Sequence, residues 1–238
     1  MSQSTSPVCI VTGVGAGTGA AVCRRFAREG YRVAMLARSE ESLAEIGAAI
    51  PGTVAFPTDV TDEPALRATL QRVRNELGPA RVLVHNAGNA SFGDLMNVDS
   101  EKFEQAWRIN TQALFVCGQE VAPDMIAAGR GTILVTGATA SLRGGAAFAA
   151  FASAKAGQRA LAQSMARLLG PKGVHVAYVV IDGVIDMPRT REFMVTARFA
   201  AYAKRLQDSL LRTSGGLEVG DEAGDEAVAS AGGEEVAS

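Results

Sequence analysis

The sequence has few of the residues that build disulfide frameworks, metal sites or membrane spans. It contains three cysteines and two histidines in 238 residues, and none lies at a spacing typical of metal ligands. No uninterrupted run of about 18 apolar residues is present, so no transmembrane helix is expected. The first ten residues lack a basic segment followed by an apolar one, so no secretory signal is expected either. These absences predict a cytoplasmic protein without a metal, with three reduced core thiols at Cys9, Cys23 and Cys117.

Charge is distributed unevenly along the chain. All 23 basic residues and 18 of the 25 acidic residues precede residue 214, so residues 1–213 carry a net charge of +5. Such a diffuse positive charge suits an anionic small ligand better than a nucleic acid. Residues 214–238 hold the other seven acidic side chains and no aromatic residue. We expect this acidic tail to be disordered or weakly helical, although a functional acidic tail is an alternative.

Short apolar segments alternate with longer helical patterns over residues 1–213. The segments indicate six strands, at residues 7–12, 31–36, 52–58, 81–87, 131–136 and 173–180. The patterns between and after them indicate helices near residues 18–29, 41–49, 63–77, 100–127, 148–169 and roughly 190–212. Because the strands are apolar on both faces, the alternation predicts an α/β domain: a doubly wound parallel sheet with helices on both faces.

A glycine-rich segment, TGVGAGTG, follows the first strand and opens the first helix. In this context Gly13 permits a tight turn, Gly17 lets the backbone approach a pyrophosphate, and Gly19 lets the helix pack on the strand. Gly15 belongs to the same loop. A helix N-terminus offers free N–H groups and a favourable dipole to a phosphate, so the segment predicts a dinucleotide site.

The end of the second strand indicates which dinucleotide binds. An acidic residue there would bind the ribose 2′-hydroxyl of NAD(H), but the sequence reads Ala37, Arg38, Ser39. A guanidinium suits a 2′-phosphate, so we expect NADP(H) to be preferred over NAD(H). An ordinary surface arginine is the alternative.

Two further strand ends add candidate cofactor contacts. Asp59, followed by Val60, closes the third strand and is placed to accept a hydrogen bond from the adenine amino group. A helix cap or turn role for Asp59 is the alternative. Asn86, Ala87 and Gly88 close the fourth strand, where small residues allow close approach of a cofactor.

Together with Asn110 and Lys155, these motifs resemble the short-chain dehydrogenase/reductase family in order and spacing, over residues 7 to about 190. The resemblance implies a Rossmann fold and a catalytic tetrad of Asn, Ser, Tyr and Lys. Asn110 and Lys155 match that tetrad. The tyrosine falls on Phe151 and the serine on Ala138, as in a divergent branch with Phe in place of the active-site tyrosine.

The resemblance has further implications. Lys155 would hold the nicotinamide ribose, with a snorkelling surface lysine as the alternative. Gly183 would contact the cofactor after the sixth strand, and the family's usual seventh strand has no counterpart in the acidic tail. The helices near 100–127 and 148–169 would pair two subunits, so we expect a homodimer.

The two substitutions remove a proton donor. Phe151 preserves a ring but has no hydroxyl, and Ala138 removes a donor to the substrate carbonyl. Three side chains are candidate substitutes, Thr139, Ser141 and Asp182, with turn and capping roles as their alternative. The fourth candidate, which we favour, is a water held by Asn110 and Lys155.

Three functions are compatible with this pattern. The first is an NADP(H)-dependent oxidoreductase of carbonyl reductase or alcohol dehydrogenase type, acting on a small molecule with an incomplete tetrad. The second is a catalytically inactive dinucleotide-binding protein. The third is a non-redox enzyme, such as a lyase or isomerase, that reuses the pocket. We favour the first, and no nucleic-acid or membrane partner is expected.

Overall fold

The computed structural model describes residues 6–183. Its strands are β1 (Val8–Thr12), β2 (Arg32–Ala37), β3 (Thr53–Pro57), β4 (Ala80–His85), β5 (Gly131–Ala138) and β6 (Val174–Ile181). Its α-helices are α1 (Thr18–Arg28), α2 (Glu40–Ala48), α3 (Glu63–Leu77), α4 (Ser100–Trp107), α5 (Ala113–Ala127) and α6 (Ala149–Leu169). The predicted strands are confirmed, with ends that differ by at most two residues. The helix expected near 190–212, the acidic tail, the domain end at 213 and the absence of a seventh strand concern residues outside the described range.

The six strands form one parallel sheet in the order β3-β2-β1-β4-β5-β6. The order reverses between β1 and β4, which pair directly. In a doubly wound sheet the connections leave β1 and β4 toward opposite faces, so a crevice opens at the carboxyl ends of these two strands. The fold class predicted from the sequence is confirmed, and the topology selects one place for a ligand.

Alternate strand residues supply the two cores of the domain. Ile10 and Leu83 point into the core packed by α3, α5 and α6. Cys9 and Val82 point into the opposite core, beneath α1 and α2. Because both faces of the central strands are covered, β1 is buried along its whole length and β4 over its last four residues.

The helix expected over residues 100–127 is interrupted. A π-helical turn, Arg108–Gln112, separates α4 from α5. Asn110 lies in this turn, and its side-chain Nδ2 donates to the carbonyl of Ala106, four residues earlier, at 2.8 Å. Turns of this type are rare and occur mostly at functional sites. The prediction of one uninterrupted helix over residues 100–127 was wrong, and the interruption contains Asn110.

The described part of the chain also bears on the absences noted in the sequence. The three thiols are free and buried. Within residues 6–183 no helix is long and apolar enough to cross a membrane. The same residues contain no cluster of three or more His, Cys, Asp or Glu side chains arranged to hold a metal ion.

Candidate active site

A cleft of about 650 Å³ opens at the carboxyl edge of the sheet. It lies where the strand order reverses, which is the place expected for a ligand. Eight of the residues predicted to bind a cofactor line it: Gly13, Gly15, Arg38, Ser39, Asp59, Val60, Ala87 and Gly88. Gln105 and Ile109, from α4 and the π-helical turn, complete its wall on the side of Asn110.

The glycine loop is held where side chains do not fit. Gly13 has a φ of +69°, and a methyl group built on it would lie 2.5 Å from the Cα of Ala87. A methyl on Gly19 would lie 2.7 Å from the Cα of Val14. Gly15, by contrast, has open space around it. Gly17 precedes α1, and no side chain caps that helix. The loop therefore needs Gly13 and Gly19 for its own packing and leaves room at Gly15 for a ligand.

Hydrogen bonds tie the loop after β1 to the loop after β4. The side-chain amide of Asn86 donates to the carbonyl of Gly13 at 2.8 Å. The backbone N–H of Ala87 donates to Thr12 Oγ1 at 3.3 Å. Asn86 therefore acts here as a brace beneath the cleft, and it keeps the two loops in register beside a ligand.

The cofactor residues after β2 and β3 have local roles as well. Ser39 caps α2 by accepting a hydrogen bond from the N–H of Ser42 at 3.1 Å. One carboxylate oxygen of Asp59 accepts from the N–H and the hydroxyl of Thr61, at 2.9 and 2.8 Å. The turn role that the sequence left open for Asp59 is thus present and engages one of its two oxygens. Arg38 is exposed and lines the cleft.

Lys155 is buried behind the cleft and does not snorkel to the surface. Only 5% of the residue is exposed. Its ammonium donates to the carbonyl of Thr136 at 2.9 Å and to Oε1 of Gln158 at 3.1 Å. Burial lowers the pKa of Lys155 to about 8, since desolvation disfavours the charged form. An ammonium has three N–H groups, so the contacts among residues 6–183 leave one N–H for a ligand.

Asn110 and Lys155 converge on Gly88. A methyl group on Gly88 would lie 3.0 Å from Asn110 Oδ1 and 3.4 Å from Lys155 Nζ. The amide N–H groups of Asn110 are used by Ala106 and by Asn89, the latter at 3.2 Å. Asn110 Oδ1 is buried and has no hydrogen-bond partner within residues 6–183. A donor and an acceptor therefore face one point beside the cleft.

The positions expected to carry the tyrosine and serine are apolar. Phe151 belongs to a cluster of three rings with Phe92 and Phe148, whose centroids lie 5.5–6.5 Å apart. Backbone hydrogen bonds between Gly93 and residues 147 and 149 hold this cluster together. Ala138 ends β5. A substrate carbonyl would thus meet rings and a methyl group where the tetrad supplies two hydroxyls.

The candidate substitute donors lie just beyond Ala138. Thr139 Oγ1 donates to Asp182 Oδ1 at 2.7 Å, across the ends of β5 and β6. Ser141 is buried in the short 3₁₀ turn that follows. Gly183 is exposed at the end of the described chain, and its predicted cofactor contact stays a prediction. Thr139 and Asp182 therefore satisfy each other, which leaves neither as a free donor in this arrangement.

Two buried polar residues were missed from the sequence. Gln158 is fully buried beside Lys155, and its Nε2 donates to the backbone carbonyl of Asn110 at 2.7 Å. His85 is fully buried, and its Nδ1 lies 3.1 Å from Thr12 Oγ1. A signal for Gln158 was present: an uncharged polar residue three positions after Lys155, on the same helix face. For His85, the signal was a lone polar residue at the end of an apolar strand.

His85 is held neutral. Its pKa is lowered to about 3, chiefly by desolvation and also by the nearby charge of Lys155, whereas the backbone at Asn110 and Ile109 opposes the change. The lowered pKa values of His85 and Lys155 thus both favour the neutral forms of these side chains. Lys155, with the much higher pKa, is the one that retains a proton near neutral pH.

A protein-family model described as short chain dehydrogenase matches residues 7–194. The chain belongs to this family of oxidoreductases. A short-chain dehydrogenase relative, "Probable galactose dehydrogenase GalD" of Rhizobium meliloti (strain 1021), is 34% identical over 203 residues, which are 83% of this chain and 79% of the relative.

Two other members of the short-chain dehydrogenase family bear on the site. "Inactive 2-(S)-hydroxypropyl-CoM dehydrogenase 2" of Xanthobacter autotrophicus (strain ATCC BAA-1158 / Py2) is 34% identical over 175 residues, 71% of this chain and 74% of the relative. A solved structure of NAD⁺-bound xylitol dehydrogenase is 28% identical, covers 76% of this chain and 72% of its own, and superposes with a TM-score of 0.71. The fold thus accommodates a nicotinamide cofactor in that protein.

The residues of this short-chain dehydrogenase fit such a cofactor. The cleft lies at the reversal of strand order, and open space at Gly15 leaves the backbone accessible. Asn110 Oδ1 is a buried acceptor without a partner within residues 6–183, and Lys155 has an uncommitted N–H beside it. A ribose hydroxyl both donates and accepts hydrogen bonds, so it complements this pair.

Proposed function

We propose that this chain is an NADP(H)-dependent oxidoreductase that interconverts a small carbonyl compound and its alcohol. The observation that carries the proposal is the convergence of Lys155 Nζ and Asn110 Oδ1 on Gly88, at one end of the cleft. Lys155 is buried and has no carboxylate partner among residues 6–183. Such burial is costly, and a bound ribose would give its remaining N–H an acceptor.

The preference for NADP(H) rests on Arg38. It is the exposed cation that lines the cleft at the end of β2, beside Ser39 at the N-terminus of α2. A phosphate there would meet both a guanidinium and a helix N-terminus, which attract the same charge. Asp59 keeps one carboxylate oxygen outside its turn for the adenine amino group.

The cofactor, when bound, supplies or accepts the hydride. The chain must then place the carbonyl and provide a proton. Asn110 Oδ1 has two lone pairs, so it would accept from a water as well as from the ribose, and the remaining N–H of Lys155 would be shared between the two. This water would donate a proton to the carbonyl oxygen during reduction. The ammonium of Lys155, with its pKa lowered to about 8, would restore that proton and recover its own from solvent. Phe151 and Ala138 take no part in the transfer, so turnover should be slow.

The three-ring cluster of Phe92, Phe148 and Phe151 supports a substrate with an apolar group beside its carbonyl. Phe92 is 61% exposed within the structure described, so the cluster presents an open ring face. Aromatic rings gain from contact with other rings and with apolar groups. We therefore expect an aromatic aldehyde to be a better substrate than an open-chain sugar.

A non-catalytic nicotinamide-binding protein is the second candidate function. The absence of a hydroxyl at Phe151 and Ala138 favours it, because general acid catalysis contributes about 10²–10⁴-fold to such reactions. The Xanthobacter autotrophicus relative, which is 34% identical to this chain over 175 residues, has the word inactive in its name. This second function uses every residue proposed to bind the cofactor. It differs from the first function only because no substrate is turned over.

We also propose a cytoplasmic homodimer. Three aromatic side chains on α4 and α5, Phe103, Trp107 and Phe115, are each nearly half exposed, and exposed aromatic residues are enriched at interfaces. On α6, Ala156 and Ala160 lie four positions apart and are exposed, and side chains this small permit close approach of a second helix. Light scattering should return twice the chain mass, and a clean monomer would refute the dimer.

Steady-state assays with purified protein test the proposed function. NADPH consumption would be followed with a panel that includes an aromatic aldehyde, an aliphatic ketone and an aldose, and NADP⁺ reduction with the matching alcohols. Lys155→Met serves as the control for contaminating reductases. Turnover that Lys155→Met abolishes supports the oxidoreductase. NADPH binding without turnover on any substrate would move the conclusion to the non-catalytic candidate.

A further inference from the structure

The side chain of Gln158 joins the two retained tetrad residues. It lies on α6 one turn after Lys155, and none of its surface is exposed. Its Oε1 accepts from Lys155 Nζ at 3.1 Å, and its Nε2 donates to the carbonyl of Asn110 at 2.7 Å. The amide orientation is fixed by chemistry, because an ammonium only donates and a carbonyl only accepts. Gln158 is therefore a bridge with a defined direction.

The bridge holds the π-helical turn as well as the lysine. Asn110 is in this turn, and its amide N–H groups are committed to Ala106 and Asn89. The Gln158 amide engages the backbone carbonyl of Asn110, which leaves Oδ1 as that residue's unpartnered acceptor within the described chain. On the other side, Thr136 and Gln158 take two N–H groups of Lys155. The third N–H and Asn110 Oδ1 are then the groups that face Gly88.

The charge at this place makes an amide the suitable bridge. His85 is buried near Lys155 and is neutral, and desolvation is the cause that lowers the pKa of Lys155. A carboxylate at position 158 would pair with the ammonium and compete with a ligand for it. An aliphatic residue would remove the side-chain donor to the carbonyl of Asn110 and leave one lysine N–H without its acceptor. The neutral amide satisfies both groups and leaves the charge available.

We propose that Gln158 is a positioning residue that fixes Lys155 Nζ and the Asn110 turn relative to each other, so that both present their remaining polar groups to the ribose site beside Gly88. Gln158 touches neither cofactor nor substrate in this role. The cofactor part of the inference rests on the proposed function. The positioning of Lys155 does not, because it concerns the protein without a ligand.

The first test is the titration of Lys155 in the ligand-free protein. The chain has four lysines, so ¹³Cε-lysine labelling gives few NMR signals, and Lys155→Met assigns the one of interest. Gln158→Met keeps the length of the side chain but removes the acceptor, so the midpoint of Lys155 should move to lower pH. Gln158→Glu adds a negative charge, so the midpoint should move to higher pH. Gln163→Met, at an exposed position of the same helix, should leave it unchanged.

The second test is NADPH affinity at neutral pH, measured by calorimetry. Gln158→Met should weaken binding by about tenfold, the effect of losing a hydrogen bond to a charged group, whereas Gln163→Met should not. Failure of the unmodified protein to bind NADPH would defeat the proposed function alone, and the titration would still decide the positioning role. An unchanged Lys155 midpoint in both Gln158 variants would overturn the inference. Loss of folding in both, with Gln163→Met folded, would assign Gln158 to core stability and overturn it equally.

Discussion

The two sides of the cleft differ in how strictly the fold constrains them. On the cofactor side, the loops after β1 and β4 contact each other through backbone atoms: Gly13 against Ala87, with Asn86 bonded to the Gly13 carbonyl. On the catalytic side, Ala138 ends β5 and Phe151 lies near the start of α6, and each differs from the tetrad residue only in its side chain. The cofactor side is thus specified by main-chain packing, whereas the catalytic side is specified by side chains alone.

Lys155 and Asn110 lie between the two sides and share features of both. They are buried, their polar groups are almost fully bonded, and the remaining ones face Gly88. A lysine kept only to assist a tyrosine would have no purpose next to Phe151, and burying it carries a desolvation cost. Under the proposed function we therefore interpret Lys155 as a binding residue rather than as a group that activates a hydroxyl.

The largest effect is expected at Gly13, on the cofactor side. Alanine there would meet the backbone of Ala87 at 2.5 Å, at a φ of +69°. Overpacking of this kind costs ~3 kcal/mol or less on its own, and the left-handed conformation adds about 1 kcal/mol. The free energy of unfolding, measured in urea, should fall by up to the sum of these two costs. Gly15→Ala, with open space around it, should keep its stability and lose only NADPH affinity, and equal stability of the two variants would contradict the packing argument.

The next effect concerns the catalytic side. Phe151→Tyr combined with Ala138→Ser should raise NADPH-dependent reduction of an activated carbonyl by about 10²-fold, the contribution of a regained general acid. The tyrosine adds one oxygen to a ring already present, one helical turn from Lys155. Ala138→Ser alone should do little, because it supplies no acid. A double variant that binds NADPH normally but gains nothing on any carbonyl would show that the pocket was reshaped for another purpose.

A smaller effect is expected from the charge at the end of β2. Arg38→Asp should reduce the preference for NADPH over NADH by about tenfold, because a contact between a guanidinium and a phosphate contributes about 1.5–3 kcal/mol. Arg130→Asp is the matched control, since Arg130 precedes β5 at the opposite edge of the sheet and is exposed. Competition binding with both nucleotides gives the ratio. If Arg130→Asp changes the ratio of NADPH to NADH affinity as much as Arg38→Asp does, the preference comes from the overall charge of the protein and not from a contact with Arg38.

The last effect is spread over several pH units and is a pH dependence of stability from His85. Its pKa is about 3 in the folded protein and 6.5 ordinarily. Below pH 6.5 the unfolded chain therefore binds a proton that the folded protein does not, and stability falls by up to about 1.4 kcal/mol per pH unit until pH 3. His85→Asn should flatten this part of the stability profile, measured by thermal unfolding between pH 7 and 4. His175→Asn, at an exposed residue, should leave it intact, and identical profiles for both variants would contradict the burial of a neutral histidine.

The strands were predictable from the sequence because a strand buried on both faces appears as a continuous stretch of apolar residues. Three local motifs were predictable for a similar reason, since each has a fixed place relative to a strand or helix. They are the glycine loop, residues 86–88 and Lys155. The π-helical turn at Asn110 was not predictable. One inserted residue leaves helical periodicity nearly unchanged, so residues 100–127 gave the pattern of an uninterrupted helix.

Buried polar residues were the other gap. Gln158 occurs in a helix that also carries exposed polar side chains, such as Gln163, and the sequence does not state which face meets the sheet. Its role emerges only when α6 is placed beside the Asn110 turn, which brings Nε2 within 2.7 Å of a carbonyl 48 positions away. Local patterns thus selected residues that line one cleft, whereas the contacts around Lys155 and Asn110 depend on residues far apart in the sequence.

The central claim is that the cofactor side is intact although the catalytic side lacks two hydroxyls. Calorimetric titration of the unmodified protein with NADPH and with NADH tests it most directly, because binding requires no turnover. We predict saturable binding of one nucleotide per chain, with NADPH at least about tenfold tighter than NADH. Equal affinities would contradict the role of Arg38, and absence of binding by either nucleotide would contradict the account as a whole.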